Sequence, residues 1–207
     1  MLVKICGITR AEDAELAVEC GAHALGFIFW PESPRFVDPD RARTIVAALP
    51  PFVSTVGVFV NQPADEVIQV ARTVRLGAVQ LHGDEAPGYA AAIGWPVIKA
   101  VAASDAIDVV LHEWPHRTML LVDVHDPVRR GGTGRTVNWS RAASLARRRR
   151  IVLAGGLTPE NVAEAIALVQ PFGIDVSSGV EAAPGRKDPG RLRALFDAVR
   201  HAEVPQR

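Results

Sequence analysis

Two short apolar runs near the C-terminus end in small residues. They are Leu153-Ala154-Gly155-Gly156-Leu157-Thr158-Pro159 and, about twenty residues later, Asp175-Val176-Ser177-Ser178-Gly179-Val180-Glu181. Where a strand gives way to Gly and Ser, bare backbone N–H groups can approach an anion such as phosphate. Three reactive side chains accompany these runs. Asp123 follows Leu120-Leu121-Val122, so it caps a buried strand, where a carboxylate is unfavourable unless it is paired or at work. Cys6 admits two readings: a packed core thiol, the commoner fate of a lone buried cysteine, or a reactive one. Arg35, in Ser33-Pro34-Arg35, is either a surface residue or a planar fork for a carboxylate. Together they suit proton transfer on a phosphorylated sugar.

These residues need a frame that brings distant segments to one place. Apolar, β-branched runs alternate with helical patterns along the chain, with strands expected at Leu2–Ile5, Ala24–Phe29, Ser54–Val60, Ala78–Leu81, Val97–Val101, Met119–Val124, Ile151–Ala154 and Ile174–Ser177. Most are continuous rather than alternating, as strands covered on both faces are. Between them, apolar residues recur at helical spacing, for example Val67, Val70, Ala71 and Val74, or Leu192, Leu195, Phe196 and Val199. Each set makes a single stripe fit to lie on a sheet. Asp38-Pro39, Thr158-Pro159 and Asp188-Pro189 read as caps followed by a proline at the first helical position, and Thr9 with Glu12 reads as a capping box.

Eight strands alternating with eight helices, without a linker, predict an α/β fold: a single (β/α)8 TIM barrel over residues 1–207. The rival, an open doubly wound sheet, would carry a glycine-rich fingerprint after strand 1, and Gly7-Ile8-Thr9 does not match it. A barrel carries its phosphate loops after strands 7 and 8, where the two small-residue runs fall. Strand parity then puts Lys4 with Cys6, Gln80 with His82, Leu121 with Asp123 and Asp175 with Ser177 on common faces, taken as inward. Lys4 either lowers the Cys6 pKa or pairs with a carboxylate deeper in the barrel.

Bulk properties exclude several classes. Of 207 residues, 48% are hydrophobic and 22% charged, and 23 basic residues balance 23 acidic ones. Nothing global favours nucleic acid or an anionic membrane. The run Arg147-Arg148-Arg149-Arg150 reads as the solvated last turn of a helix. No signal peptide is visible, and the longest apolar stretch is too short to span a bilayer. The two cysteines, Cys6 and Cys20, fall at opposite ends of the first βα unit, too far apart for a disulfide. A reduced, cytoplasmic protein is expected, monomer or homodimer, with a small phosphorylated molecule as its partner. The six histidines show no metal spacing, so neither metal nor cofactor is expected. Trp30 and Trp114 are exposed apolar residues, interface or loop-covered.

Ordered motifs over almost the full length carry a resemblance. They are Lys4-Ile5-Cys6-Gly7-Ile8-Thr9, Gly26-Phe27-Ile28-Phe29 with Ser33-Pro34-Arg35, Val56 through Asn61, Gln80-Leu81-His82-Gly83, Gly131-Gly132-Thr133-Gly134, Ala154-Gly155-Gly156-Leu157 and Asp175 to Glu181. The chain resembles the phosphoribosylanthranilate isomerases, which carry out an Amadori rearrangement in tryptophan biosynthesis. The resemblance implies Cys6 as general base, Asp123 as general acid and Arg35 as the partner of the anthranilate carboxylate. Phosphate is then expected on amides around Gly155, Gly156, Ser177, Ser178 and Gly179, with Gln80, His82, Gly132 and Asp175 also binding substrate. Residues 125–137 are either a lid or a flexible turn, and Asp126 is a rival acid. Rival readings are an indole-glycerol-phosphate synthase, needing lysines at the mouth, and a ribulose-phosphate epimerase, needing a metal cluster. The histidine-pathway isomerase uses two aspartates, whereas a cysteine ends strand 1 here. A non-catalytic phosphate-binding regulator is the remaining alternative.

Overall fold

The computed structural model describes residues 1–103, 107–123 and 139–203. Eight parallel strands close into a barrel in sequence order: β1 (Leu2–Cys6), β2 (Ala24–Ile28), β3 (Ser54–Phe59), β4 (Ala78–Leu81), β5 (Val97–Ala102), β6 (Met119–Asp123), β7 (Ile151–Ala154) and β8 (Gly173–Val176). The helices that return the chain are α1 (Ala11–Cys20), α2 (Pro39–Ala47), α3 (Ala64–Val74), α4 (Pro87–Ile93), α5 (Ile107–Glu113), α6 (Trp139–Ala146), α7 (Val162–Val169) and α8 (Pro189–Glu203). After β8 come a 3₁₀ turn, Ser178–Val180, and a small hairpin of β9 (Glu181–Ala183) and β10 (Arg186–Lys187).

The apolar residues divide into two sets, as a barrel requires. Outward positions such as Ile5, Phe27, Leu81, Leu120 and Leu153 pack beneath the helices in one large core, with Ala165, Leu192 and Leu195 from the helical stripes. Inward positions Ala100, Leu121, Val152 and Ala154 form a small separate core, joined by Ile98 and Met119. The inward set holds the lower interior and leaves the upper interior to polar residues.

Strand ends differ from the expected ones by a single residue at most. Cys6 pairs with Gly26 and Asp123 with Ala154 and Ala102, so both belong to the ladder rather than to the loops beyond it. Val124 lies outside the described residues. Of the expected caps, Asp38 accepts from the amides of Asp40 and Arg41, and Asp188 from that of Arg191. Two others did not form. The Thr9 hydroxyl donates to the Gly185 carbonyl instead, leaving Arg10 as the uncapped start of α1. Thr158-Pro159 builds a turn, and α7 begins only at Val162. In both places tertiary or local loop bonds took the hydroxyl away from the helix.

The arginine run also departs from a solvated face. Arg149 is buried and donates to the carbonyls of Trp114, Pro115 and Thr118, while Arg150 stacks on Phe172. It satisfies loop carbonyls that would otherwise be stranded at the barrel's lower end. Trp114 is buried, with the Lys99 ammonium over its ring, so it is not an exposed surface. Lys99 faces outward from β5 and pairs with Glu85 at 2.8 Å, and Glu85 accepts from the amides of Asn61 and Gly83. That brace holds the loop that carries His82.

Candidate active site

A cavity of about 250 Å³ opens at the C-terminal ends of the strands. Its walls include Cys6 from β1, Arg35 from the loop after β2, Gln80 and His82 from the end of β4, Asp123 from β6, and Asp175 from β8. Gly155 and Gly156, with Ser177, Ser178 and Gly179, complete the wall between β7 and β8. Every expected site residue except Gly132 is therefore in one place, and Gly132 lies outside the described residues, as does the segment 125–137 read as lid or turn.

The inward parity explains the upper interior. Lys4 stands below Cys6 and opposite Asp175 in the β1–β8 register, and its ammonium donates to Asp175 Oδ2 at 2.8 Å. Burial opposes the charge on Lys4, but Asp175 and the neighbouring Cys6 outweigh it and hold the ammonium above its ordinary pKa. At Cys6 the pull of Lys4 is not the larger effect. Burial pushes its thiol up, and the downward pull of Lys4 and Lys187 offsets this only in part. The thiol is reached from the cavity yet only 6% exposed, which is why desolvation dominates. Lys4 does both things open to it, pairing with the carboxylate and facing the sulfur.

Arg35 has an internal partner that the sequence did not point to. Its fork is already engaged: Nε and Nη2 donate to Glu181 at 3.0 and 2.7 Å. The side-on edge of the guanidinium is spent within the protein, and its end-on edge remains for a ligand carboxylate. Glu181, whose side chain is 3% exposed, also accepts from Lys187 Nζ at 2.9 Å. Burial would raise the Glu181 pKa, but hydrogen bonds from Arg35 and Lys187 bring it below the usual carboxylate range. Lys187 in turn donates to the carbonyls of Cys6 and Ser177.

Across the cavity, Gln80 Nε2 lies 2.9 Å from His82 Nδ1, and His82 Nε2 lies 3.6 Å from Asp123 Oδ2. The latter is too long for a hydrogen bond. Gln80 Oε1, Asp175 Oδ1 and Ser177 Oγ are buried without a hydrogen-bond partner among the described residues. Buried polar atoms are rarely left so, and all three belong to cavity-lining residues, where hydroxyls of a sugar would satisfy them.

The loops after β7 and β8 take shapes that depend on glycine. Gly155 and Gly156 sit at φ 92° and 63°, a region L-residues avoid, and a Cβ on Gly156 would meet nothing within 4 Å. Gly179 packs against the Leu157 carbonyl so closely that any Cβ would overlap it, which locks the two loops together. Among the described residues no group of three His, Cys, Asp or Glu side chains is arranged to hold a metal.

Residues 3–198 match the family model described as N-(5'-phosphoribosyl)anthranilate isomerase. The chain belongs to that family. A relative from Geobacter sulfurreducens named N-(5'-phosphoribosyl)anthranilate isomerase is 52% identical over 94% of this chain and 96% of its own. The crystal structure of phosphoribosyl anthranilate isomerase from Thermotoga maritima superposes with a TM-score of 0.90 at 45% identity, covering 97% and 99% of the two chains. A structure of phosphoribosyl anthranilate isomerase in complex with reduced 1-(o-carboxyphenylamino)-1-deoxyribulose 5-phosphate gives 0.86 at 43% identity, covering 97% and 100%. The closed barrel is thus that of phosphoribosylanthranilate isomerases.

Sequence reasoning missed Lys187 and the site role of Glu181. Pro184-Gly185 was an available hairpin signal, but nothing local says that such a hairpin folds back over β1. It also missed Gly26, although a glycine inside a strand marks close approach. A Cβ there would stand 2.7 Å from Cys6 Sγ and 3.0 Å from Lys4 Nζ.

Proposed function

We propose that this chain isomerises N-(5-phosphoribosyl)anthranilate to 1-(2-carboxyphenylamino)-1-deoxyribulose 5-phosphate, a step of tryptophan biosynthesis, by general acid–base catalysis in this cavity. One observation carries the residue assignments: Cys6 and Asp123 stand on ladder positions three strands apart, in the same cavity as two anion loops. With phosphate on the amides around Gly155, Gly156 and Ser177–Gly179, the ribose lies across the cavity between thiol and carboxyl. Asp123 gives a proton to the ring oxygen, and the C1–O bond breaks as the anilino nitrogen supplies its electron pair to form the Schiff base. The Cys6 thiolate takes the C2 proton, and the resulting enolamine tautomerises to the aminoketose. Substrate supplies its own iminium, so the chain's part is to place one acid and one base and to exclude water.

Arg35 presents its end-on edge to the anthranilate carboxylate, while Gln80, His82 and Asp175 hold sugar hydroxyls. Gly132 remains a proposed contact on its motif alone. No helix among the described residues is long and apolar enough to cross a membrane. The protein works in the cytoplasm as a monomer or homodimer, which sedimentation and fractionation test. Incubating the protein with phosphoribosylanthranilate and following loss of its fluorescence tests the activity. Turnover that survives Cys6→Ala with Asp123→Asn would refute the assignment of both residues.

A further inference from the structure

Lys187, at the molecule's upper end, has no exposed side-chain surface. Its three N–H donors are all spent, on Cys6 O at 2.6 Å, Glu181 Oε1 at 2.9 Å and Ser177 O at 3.2 Å. One ammonium therefore joins the base-bearing end of β1, the first residue of the loop after β8, and the carboxylate that holds Arg35. The backbone of Lys187 is fixed as well, its amide donating to Asp13 Oδ2, and Asp13 is paired with Arg10.

We propose that Lys187 is a positioning residue for Cys6: it pins the strand end that carries the thiol and supplies the positive charge against which a thiolate forms. Charge bookkeeping around the sulfur favours this. Lys4 from β1 and Lys187 from β10 act on it together with Asp175 from β8, while Arg35 from the loop after β2 and Glu181 from β9 pair with each other, Glu181 also holding Lys187. His82 and Asp123 stand across the cavity. At the sulfur two cations oppose one carboxylate, and ionisation of Cys6 balances them. Glu181 has the opposite influence, since it competes with the thiolate for Lys187.

The proposal rests on Cys6 as the base, and the test separates the two. In a Cys20→Ala background, the rate of Cys6 alkylation by iodoacetamide is followed against pH, which reads the thiol without turnover; the pH profile of kcat/KM is measured alongside. Lys187→Met should raise the alkylation midpoint by about one pH unit or more, slowing labelling roughly tenfold below it. Lys187→Arg should lie closer to the parent, and Glu181→Gln should move the midpoint down. Opposite shifts from the two ends of one salt bridge cannot come from loosened packing, which moves both the same way. Shifts of the same sign, or none, overturn the proposal. If Lys187→Met does not fold, Lys187→Gln, which removes the charge but keeps hydrogen-bond donors, takes its place under the same signs. A kcat/KM limb that ignores the alkylation midpoint would refute Cys6 as base and leave the coupling standing.

Discussion

Gly26 has no chemistry of its own, yet Gly26→Ala should damage the active site more than most substitutions at the mouth. An added Cβ would lie 2.7 Å from Cys6 Sγ and 3.1 Å from its Cα, whereas ordinary contacts begin at about 3.5 Å. The strands cannot part to relieve this, because Cys6 and Gly26 are paired in the β1–β2 ladder. The sulfur must therefore swing away, with Lys4 Nζ, 3.0 Å from the same point. Overpacking of this kind costs about 1–3 kcal/mol, which for a domain of this size lowers Tm by about 2–12 °C. Displacing a reacting group by about 1 Å should reduce kcat roughly 10²-fold. Gly57→Ala is the control. It lies one strand over and faces outward, where a Cβ would crowd Leu76, Phe59 and Phe29. It should lose comparable stability while kcat stays within a few-fold of the parent. Steady-state kinetics at a temperature where all three proteins are folded, with calorimetric Tm values, make the comparison. Equal loss of kcat in both variants, or Gly26→Ala at parental activity, refutes the argument that this glycine makes room for the thiol.

Asp123→Asn keeps the shape but cannot deliver a proton, so kcat should fall by about 10²-fold or more; near-parental turnover there with an inactive Asp126→Asn would move the acid to Asp126. Arg35→Ala should raise KM by about 10- to 100-fold for the carboxylate-bearing substrate, the worth of a charged hydrogen bond, and much less for an aniline analogue, with equal losses pointing to a purely structural pairing with Glu181. Gly156→Ala, at φ 63° with open space beyond it, should fold yet weaken binding of inorganic phosphate and of a reduced product analogue measured by calorimetry; unchanged affinity would place the phosphate elsewhere.

The barrel was legible in the chain because its signals are local. Continuous apolar runs such as Leu120-Leu121-Val122 stand for strands covered on both faces, and stripes such as Val162, Ala165, Ile166 and Val169 stand for helices laid on them; all four of the latter are buried. Parity along each strand also sufficed to place Cys6, Gln80, Asp123 and Asp175 at the mouth, since the side-chain period of two leaves only one choice once a face is apolar. What the chain by itself could not determine is which charges meet. Arg35 and Glu181 are 146 residues apart, and Lys187 and Cys6 are 181 apart; only closure of the barrel and the folding back of the β9–β10 hairpin bring them together. The same holds for the thiol. Lys4 left open a lowered thiol pKa, but a pKa is set by everything that removes water from the group, and burial by residues from distant strands outweighs the lysine two positions away. Periodicity reports how an element meets its surroundings, whereas electrostatics depends on long-range partners that only the tertiary structure supplies.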